Sequence, residues 1–321
     1  MKKIILFVFL SAVYFSCTKE TDCDSIRSND FDQIAISAEI INADIHSRTG
    51  YTGSSAVWAN NDSLGLFCQQ SKAAAVNLRF LLSGVGSTPV WTPATPIYWA
   101  DASTFHKFLG YVPYASGNND PTAVKLPALT PQNGTINPAK DFLISNNQYA
   151  TGVQRSGSAV PLNFTHALAL IQFDITIGNS ITASTVLNNL VLAAGPTDKL
   201  INTDGTSTIN LSSGAISPSA SATTNTITVT PASAPTLSGT AVTLYVLILP
   251  GTYTAPTLQL NLTEPVTGAI AVPAKPLATT TFAANTRYTY SVNVTRTALT
   301  ISTPTITDWT PVSGGNINPG I

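Results

Sequence analysis

Apolar and polar residues alternate with period two in several stretches of this chain, and nowhere hold the 3.6-residue period of a helix for long. Ile34, Ile36, Ala38 and Ile40 alternate with Ala35, Ser37, Glu39 and Ile41, which predicts a strand with one buried face. Leu258, Leu260 and Leu262 alternate with Gln259, Asn261 and Thr263, and Tyr288, Tyr290, Val292 and Val294 with Thr289, Ser291, Asn293 and Thr295. Both patterns predict half-buried strands. Shorter strands are expected around residues 64–68, 78–82, 97–99 and 105–112. Residues 164–177 read as one long strand with Ala167, Ala169, Ile171, Phe173, Ile175 and Ile177 on one face. The apolar run 244–249 reads as a buried strand stopped by Pro250. Asn202-Thr203-Asp204-Gly205 has the turn chemistry of a hairpin between residues 199–201 and 208–211. Leu299 and Ile301 open a last strand ending near Trp309.

Frequent short strands separated by turn clusters, such as residues 84–89 and 117–121, point to an all-β fold of antiparallel sandwiches. A boundary near residue 160 gives an N-terminal sandwich over residues 32–160 and a C-terminal one over residues 161–321. Residues 17–31 are polar and aperiodic and read as a tether.

The first 16 residues read as an address. Lys2 and Lys3 precede an apolar run from residue 4 to 15. That run is too short for the ~20 residues of a spanning helix and fits a secretory signal. It ends at Phe15-Ser16-Cys17, where a small residue before Cys resembles a bacterial lipobox, although Val13-Tyr14 depart from the Leu-rich form. Cys17 is then the expected lipidation site, and several acyl chains on one residue anchor stably. An ordinary signal peptide cleaved near Cys17 is the plainer alternative. The acidic tract after Cys17, through Asp22 and Asp24, resembles a surface-export tract and also suits a solvated linker.

Composition agrees with export. Only 10% of residues are charged and 44% are hydrophobic, so a core is affordable and bulk disorder is excluded. With 15 basic and 16 acidic residues there is no cationic field for nucleic acid.

Material for catalysis is scarce. His166 lies in an apolar stretch and reads as a hydrogen-bonded core residue; His46 and His106 stand apart from any metal-spaced cluster. A glycosidase needs paired carboxylates, but Asp174, Asp198, Asp204, Glu264 and Asp308 stand singly. No nucleophile elbow, phosphate loop or dinucleotide fingerprint appears, so no enzyme and no cofactor is expected. Cys23 and Cys68 read as incidental thiols rather than a structural pair. Trp58, Trp99 and Trp309 read as core, whereas Trp91, beside Pro89, is the freest to bind a ligand.

Several local patterns stand together in order. They are Trp58 with Asn61-Asp62 and Leu64-Gly65-Leu66-Phe67; Tyr98-Trp99 with Phe105, Phe108, Tyr111 and Pro113-Tyr114; and Phe164-Thr165-His166-Ala167-Leu168-Ala169. Leu249-Pro250-Gly251-Thr252-Tyr253 follows, and then Tyr288-Thr289-Tyr290 leading into Asp308-Trp309. Over roughly residues 34–312 the chain resembles the fimbrillin family, the pilus subunits and fimbrillin-like surface lipoproteins of Bacteroidetes. It departs from the family at Asn285-Thr286-Arg287, where relatives usually carry Gly. The resemblance implies two transthyretin-like sandwiches in tandem, a lipid anchor in the outer membrane, trimming by an Arg-specific protease, and joining to other pilus subunits by donor-strand exchange. Arg48-Thr49, in a polar loop after the first strand, is then the expected cleavage site, since such loops are what proteases reach. The runner-up is a surface lipoprotein that binds a glycan or protein and never polymerises.

Overall fold

The computed structural model describes residues 33–41, 58–85, 87–221 and 223–309. The fold is all-β, and among the described residues there is no helix. In the N-terminal part the strands are β1 (Ile36–Ile40), β2 (Ser63–Cys68), β3 (Ala75–Ser83), β4 (Val90–Pro93), β5 (Leu109–Val112), β6 (Val124–Lys125), β7 (Leu143–Ser145) and β8 (Val160–His166). All but β6 form a seven-stranded sheet in the order β1-β8-β7-β5-β2-β3-β4. Its neighbours run antiparallel except at one edge, where β1 lies parallel to β8. The sheet curls until its edges meet, and Ile34 N donates to Ile97 O at 2.8 Å just beyond β4. Inside the curl lies an aromatic and aliphatic core with Leu64, Leu66, Phe80, Phe108, Leu162 and Phe164. The close approach of two strands demands Gly65, because a Cβ there would sit 2.2 Å from the Tyr111 ring carbon facing it.

The chain crosses to the second half at Ala167-Leu168. The run read as one strand over residues 164–177 is therefore two, β8 and β9 (Ala169–Ile177), in different sheets. The boundary expected near residue 160 falls at the start of β8, whose partners are β1 and β7. Next come β10 (Val186–Ala193), β11 (Ile201–Asn202), β12 (Thr208–Ile209), β13 (Ile216–Ser217), β14 (Thr223–Thr224), β15 (Thr226–Val229), β16 (Val242–Ile248) and β17 (Gly251–Thr252). They are followed by β18 (Thr257–Glu264), β19 (Gly268–Pro276), β20 (Thr281–Phe282), β21 (Thr286–Val294), β22 (Leu299–Ile301) and β23 (Thr305–Asp308). One sheet runs β16-β9-β21-β22, with β23 also on β21; another runs β15-β10-β18-β19. The alternation read in residues 258–262 and 288–294 is the buried-face pattern of β18 and β21, and residues 244–249 lie in or just after β16.

Three expectations change. The residues flanking Asn202–Gly205 do not form a hairpin: β11 pairs β14, and β12 pairs β13 and β6. The competing partner is the segment after β5, since Leu129 N donates to Asn202 O and the Asn202 amide donates to Pro127 O. The last strand is split, because Ser302–Pro304 interrupts it and both β22 and β23 pair with β21. Residues 97–99 hold only an isolated bridge between Gln33 and Tyr98. The segment that carries β6 covers the outer face of β2 and β5, and Val124, Leu126, Leu129 and Ile136 join one continuous core with the C-terminal sheets.

Candidate functional site

The feature that separates this fold from a closed sandwich is the seat of β1. Its five residues pair with β8 in a straight parallel register, from Ile36 opposite Val160 to Ile40 opposite Phe164. Flanking bonds extend the ladder: Val160 N donates to Ala35 O and Ile41 N to Phe164 O, both at 2.9 Å. Ile34, Ile36, Ala38 and Ile40 are all at most 3% exposed. Burial of each isoleucine contributes ~2 kcal/mol. Yet β1 is an edge strand, bonded along its length on one side only.

Aromatic residues line the seat. Trp58 sits edge-on to Phe164 at 5.6 Å and edge-on to Trp91 at 5.1 Å. Trp58, Trp99 and Trp309 are core residues, as their pattern predicts. Trp91 departs from expectation: it is buried, on the inward side of β4 against Trp58, and offers no exposed ring. The indole N–H groups of Trp58 and Trp99 are buried without acceptors, a local cost of about 1–3 kcal/mol each.

Cys17, Arg48 and Thr49, the residues picked out for lipidation and processing, lie outside the described residues, as do the signal segment 1–16, the tether 17–31, Cys23, His46 and the tail 310–321. The structure does fix the ends of the chain that carries Arg48. It departs at Ile41, hydrogen-bonded to Phe164, and re-enters at Trp58, whose ring rests on that same Phe164.

His166 is a core residue, as read. Its Nδ1 lies 2.8 Å from Asp141 Oδ1 and its ring stacks on Trp309 at 3.8 Å and 8°. Asp141 escaped the sequence reading, because 25 residues separate it from His166 and no spacing rule links them. The His166 ring thus ties the end of β8 both to Asp141, ahead of β7, and to Trp309, just past β23. His106 is buried too, with Nδ1 on Thr104 O and its ring edge-on to Trp99. Among the described residues no three His, Cys, Asp or Glu side chains gather in a metal-binding group. Burial pushes the Cys68 thiol up, away from the reactive thiolate. Glu264 is buried, and hydrogen bonds from the Thr267 hydroxyl first, then Thr182 and Arg296, hold its carboxyl down to about 2. Each of these groups is engaged by structural neighbours, although His166 Nε2 is buried without a hydrogen bond; among the described residues none presents a nucleophile or acid–base pair to an open cleft.

Known proteins agree with this architecture. The sequence model of a family described as fimbrillin-like matches residues 47–309. A putative cell adhesion protein from Bacteroides uniformis is 18% identical, with 87% of this chain and 98% of that one covered and a TM-score of 0.58. A putative cell adhesion protein from Bacteroides ovatus is 18% identical, with the same coverages and a TM-score of 0.57. A fimbrial protein from Bacteroides vulgatus is 15% identical, with 87% and 100% covered and a TM-score of 0.52. No curated protein matches the chain.

Proposed function

The chain belongs to the fimbrillin-like family, and from that premise we infer that it is a structural or accessory subunit, at tip or anchor, of a cell-surface pilus. It is exported as a lipoprotein through Cys17 and enters the fibre by strand exchange. The observation that carries this reading is the one-sided, in-register seat of β1 on β8. A strand held in this way completes its sheet while attached and leaves a defined vacancy when removed. The vacancy has an unpaired β8 edge and an apolar floor of Leu162, Phe164 and Trp58. An extended segment from another subunit restores both the ladder and the burial. Cleavage after Arg48 separates β1 and its anchor from all that follows. The family match begins at residue 47, so the shared region leaves β1 out, which supports this division. The tail past Trp309 has few apolar residues, Val312, Ile317 and Ile321. That is little to bury as a donor strand, and it favours a tip or accessory place over a stalk.

The test is limited digestion with an Arg-specific protease of the parent and of Arg48→Ala, followed by terminal mass analysis and sizing with partner pilins. The expected outcome is a new N-terminus at Thr49 and a complex with a partner, both absent from the variant. A cut at Arg27, the competing arginine of the 17–31 tether, alone, or a Thr49 terminus that stays monomeric with every partner, overturns the exchange mechanism.

A further inference from the structure

The chain enters the C-terminal half and leaves it at one place. Thr286, the first residue of β21, lies opposite Ala169, the first of β9, on one side and opposite Asp308, the last of β23, on the other. Entry and exit are thus two strand spacings apart, roughly 10 Å. Tension between the end of β8 and the chain past Trp309 therefore pulls on the same end of neighbouring strands. A ladder loaded in this way opens like a zipper, one bond at a time, and β23 is held by only four residue pairs. Such a zipper resists only as well as its first fastening.

That fastening is centred on Asn285. Its backbone N–H donates to Leu168 O at 3.0 Å, and its carbonyl accepts from Trp309 N at 2.8 Å. Its side-chain Oδ1 accepts from His166 N at 3.2 Å. One residue thus bonds the last residue of β8, the crossing chain and the exit. The buried Trp309 ring lies flat on the His166 imidazole, which Asp141 fixes through Nδ1. His166 Nε2 finds no hydrogen bond, so the ring is kept for these contacts despite an orphaned nitrogen. Asn285 itself has a φ of +55°, in the left-handed region. Glycine takes that conformation without steric cost, and asparagine is among the few other residues that enter it readily. Of the two, only asparagine brings an acceptor for His166 N.

We propose that Asn285, His166 and Trp309 form a tension clasp: load between the N-terminal half and the C-terminal end passes through them, from Trp309 to β8, and bypasses the C-terminal sheets. The clasp guards the mouth of the β23 ladder, so the sheets stay folded under a load that would otherwise unzip them. That such load arises in the cell rests on the pilus reading above, because a fibre subunit is pulled at both ends. The clasp itself belongs to this chain alone. It can fail while that reading stands, and the reading can fail while the clasp holds.

The experiment is constant-force optical trapping of the full chain in two pulling geometries. Ligation tags at Gly157, in the loop before β8, and at the C-terminus load the clasp. Tags at Gly157 and Gly239 do not, because β16 begins opposite Ile175, near the far end of β9, and the seven pairs between the two strands then shear together. Both glycines are exposed, with open space where a Cβ would stand. Asn285→Gly suits the backbone conformation and removes the acceptor. In the first geometry the variant opens roughly two- to tenfold faster than the parent at the same force, the factor that one net hydrogen bond sets for an opening rate. In the second it opens at the parental rate. Equal opening of parent and variant in the first geometry overturns the clasp. Equal quickening in both geometries overturns it too, since the side chain then only stabilises the fold as a whole.

Discussion

Strands β1 and β9 occupy the same topological place in their two halves and are held in very different ways. Each is the first strand of its half, and each runs parallel to a late one: β1 to β8, β9 to β21. But β1 has five residues and sits at an edge, whereas β9 has nine and lies inside its sheet between β16 and β21. Removing β9 strips two ladders, one of seven residue pairs and one of nine. Removing β1 strips one ladder of five. The N-terminal half thus holds its first strand by one ladder at an edge, while the C-terminal half makes the corresponding strand its keystone. Burial sharpens the point. Ile34, Ile36 and Ile40 together contribute about 6 kcal/mol as an upper figure, comparable to the whole net stability of a small domain. An attached β1 therefore stays seated, and the strand-exchange reading proposed above needs it severed before another strand can take its place.

The largest expected effect tests the keystone. Phe173 is fully buried at the middle of β9 and stacks on Tyr290 at 5.7 Å. Phe173→Ala costs about 3–5 kcal/mol, read as a shift of the denaturant midpoint with loss of amide protection throughout β9, β16 and β21. If it costs no more than a substitution in β1, the contrast between the two strands is wrong.

A smaller effect belongs to β1. Ile36→Ala costs about 2 kcal/mol, near the low end for such truncations, because an edge can settle into the space. Hydrogen exchange should quicken at Ile41 and at Val160, the amides that hold the two ends of the strand. The Leu170 and Ile171 amides should keep their protection, because local opening does not spread to a separately bonded unit. Equal quickening in β9 would show that the two halves open together.

These two strands also show how far the sequence can be read. The alternation in residues 34–41 gives β1 and its buried face, because one side of an edge strand meets solvent and the pattern records it. Residues 164–177 mislead, since the end of β8 runs through Ala167-Leu168 straight into the apolar start of β9 and no Gly or Pro marks the turn there. Period two says which face is buried but not in which sheet. Local turn chemistry fails at Asn202–Gly205 for a related reason. The turn is real, with Gly205 at a φ of +76°, but its flanks pair with residues far along the chain. Trp91 looks exposed beside a proline and is buried because β4 closes the curl of the sheet. The Asp141–His166 pair is assembled by long-range folding, so no spacing rule predicts it.

The smallest effect is one of pH, and it confines itself to the C-terminal half. Glu264 ends β18, and its Oε1 accepts from Thr182 N at 3.1 Å and from Thr182 Oγ1 at 2.8 Å; its Oε2 accepts from Thr267 and Arg296. Thr182 follows β9, Thr267 turns β18 into β19, and Arg296 follows β21, so one carboxylate staples three chain ends. The Thr267 hydroxyl and the other donors hold Glu264 at about 2 against an ordinary 4.5. A carboxyl depressed in the folded state adds stability that is fully present above its unfolded value and fades as pH falls to its folded value. Its contribution is therefore complete above about pH 5 and lost progressively between about pH 4.5 and 2. The parent's thermal midpoint should fall more steeply across that window than that of Glu264→Gln, which cannot titrate there. No described carboxylate ties β1, since Glu39, its one acid, faces outward. Exchange at Ile41 should therefore change no more in the parent than in the variant over the same window, once corrected for the intrinsic pH dependence of exchange. Parallel slopes for parent and Glu264→Gln would mean that the staple is decorative. A slope that also appears at Ile41 would mean that acid reaches the first strand, and the two halves would no longer count as separately held.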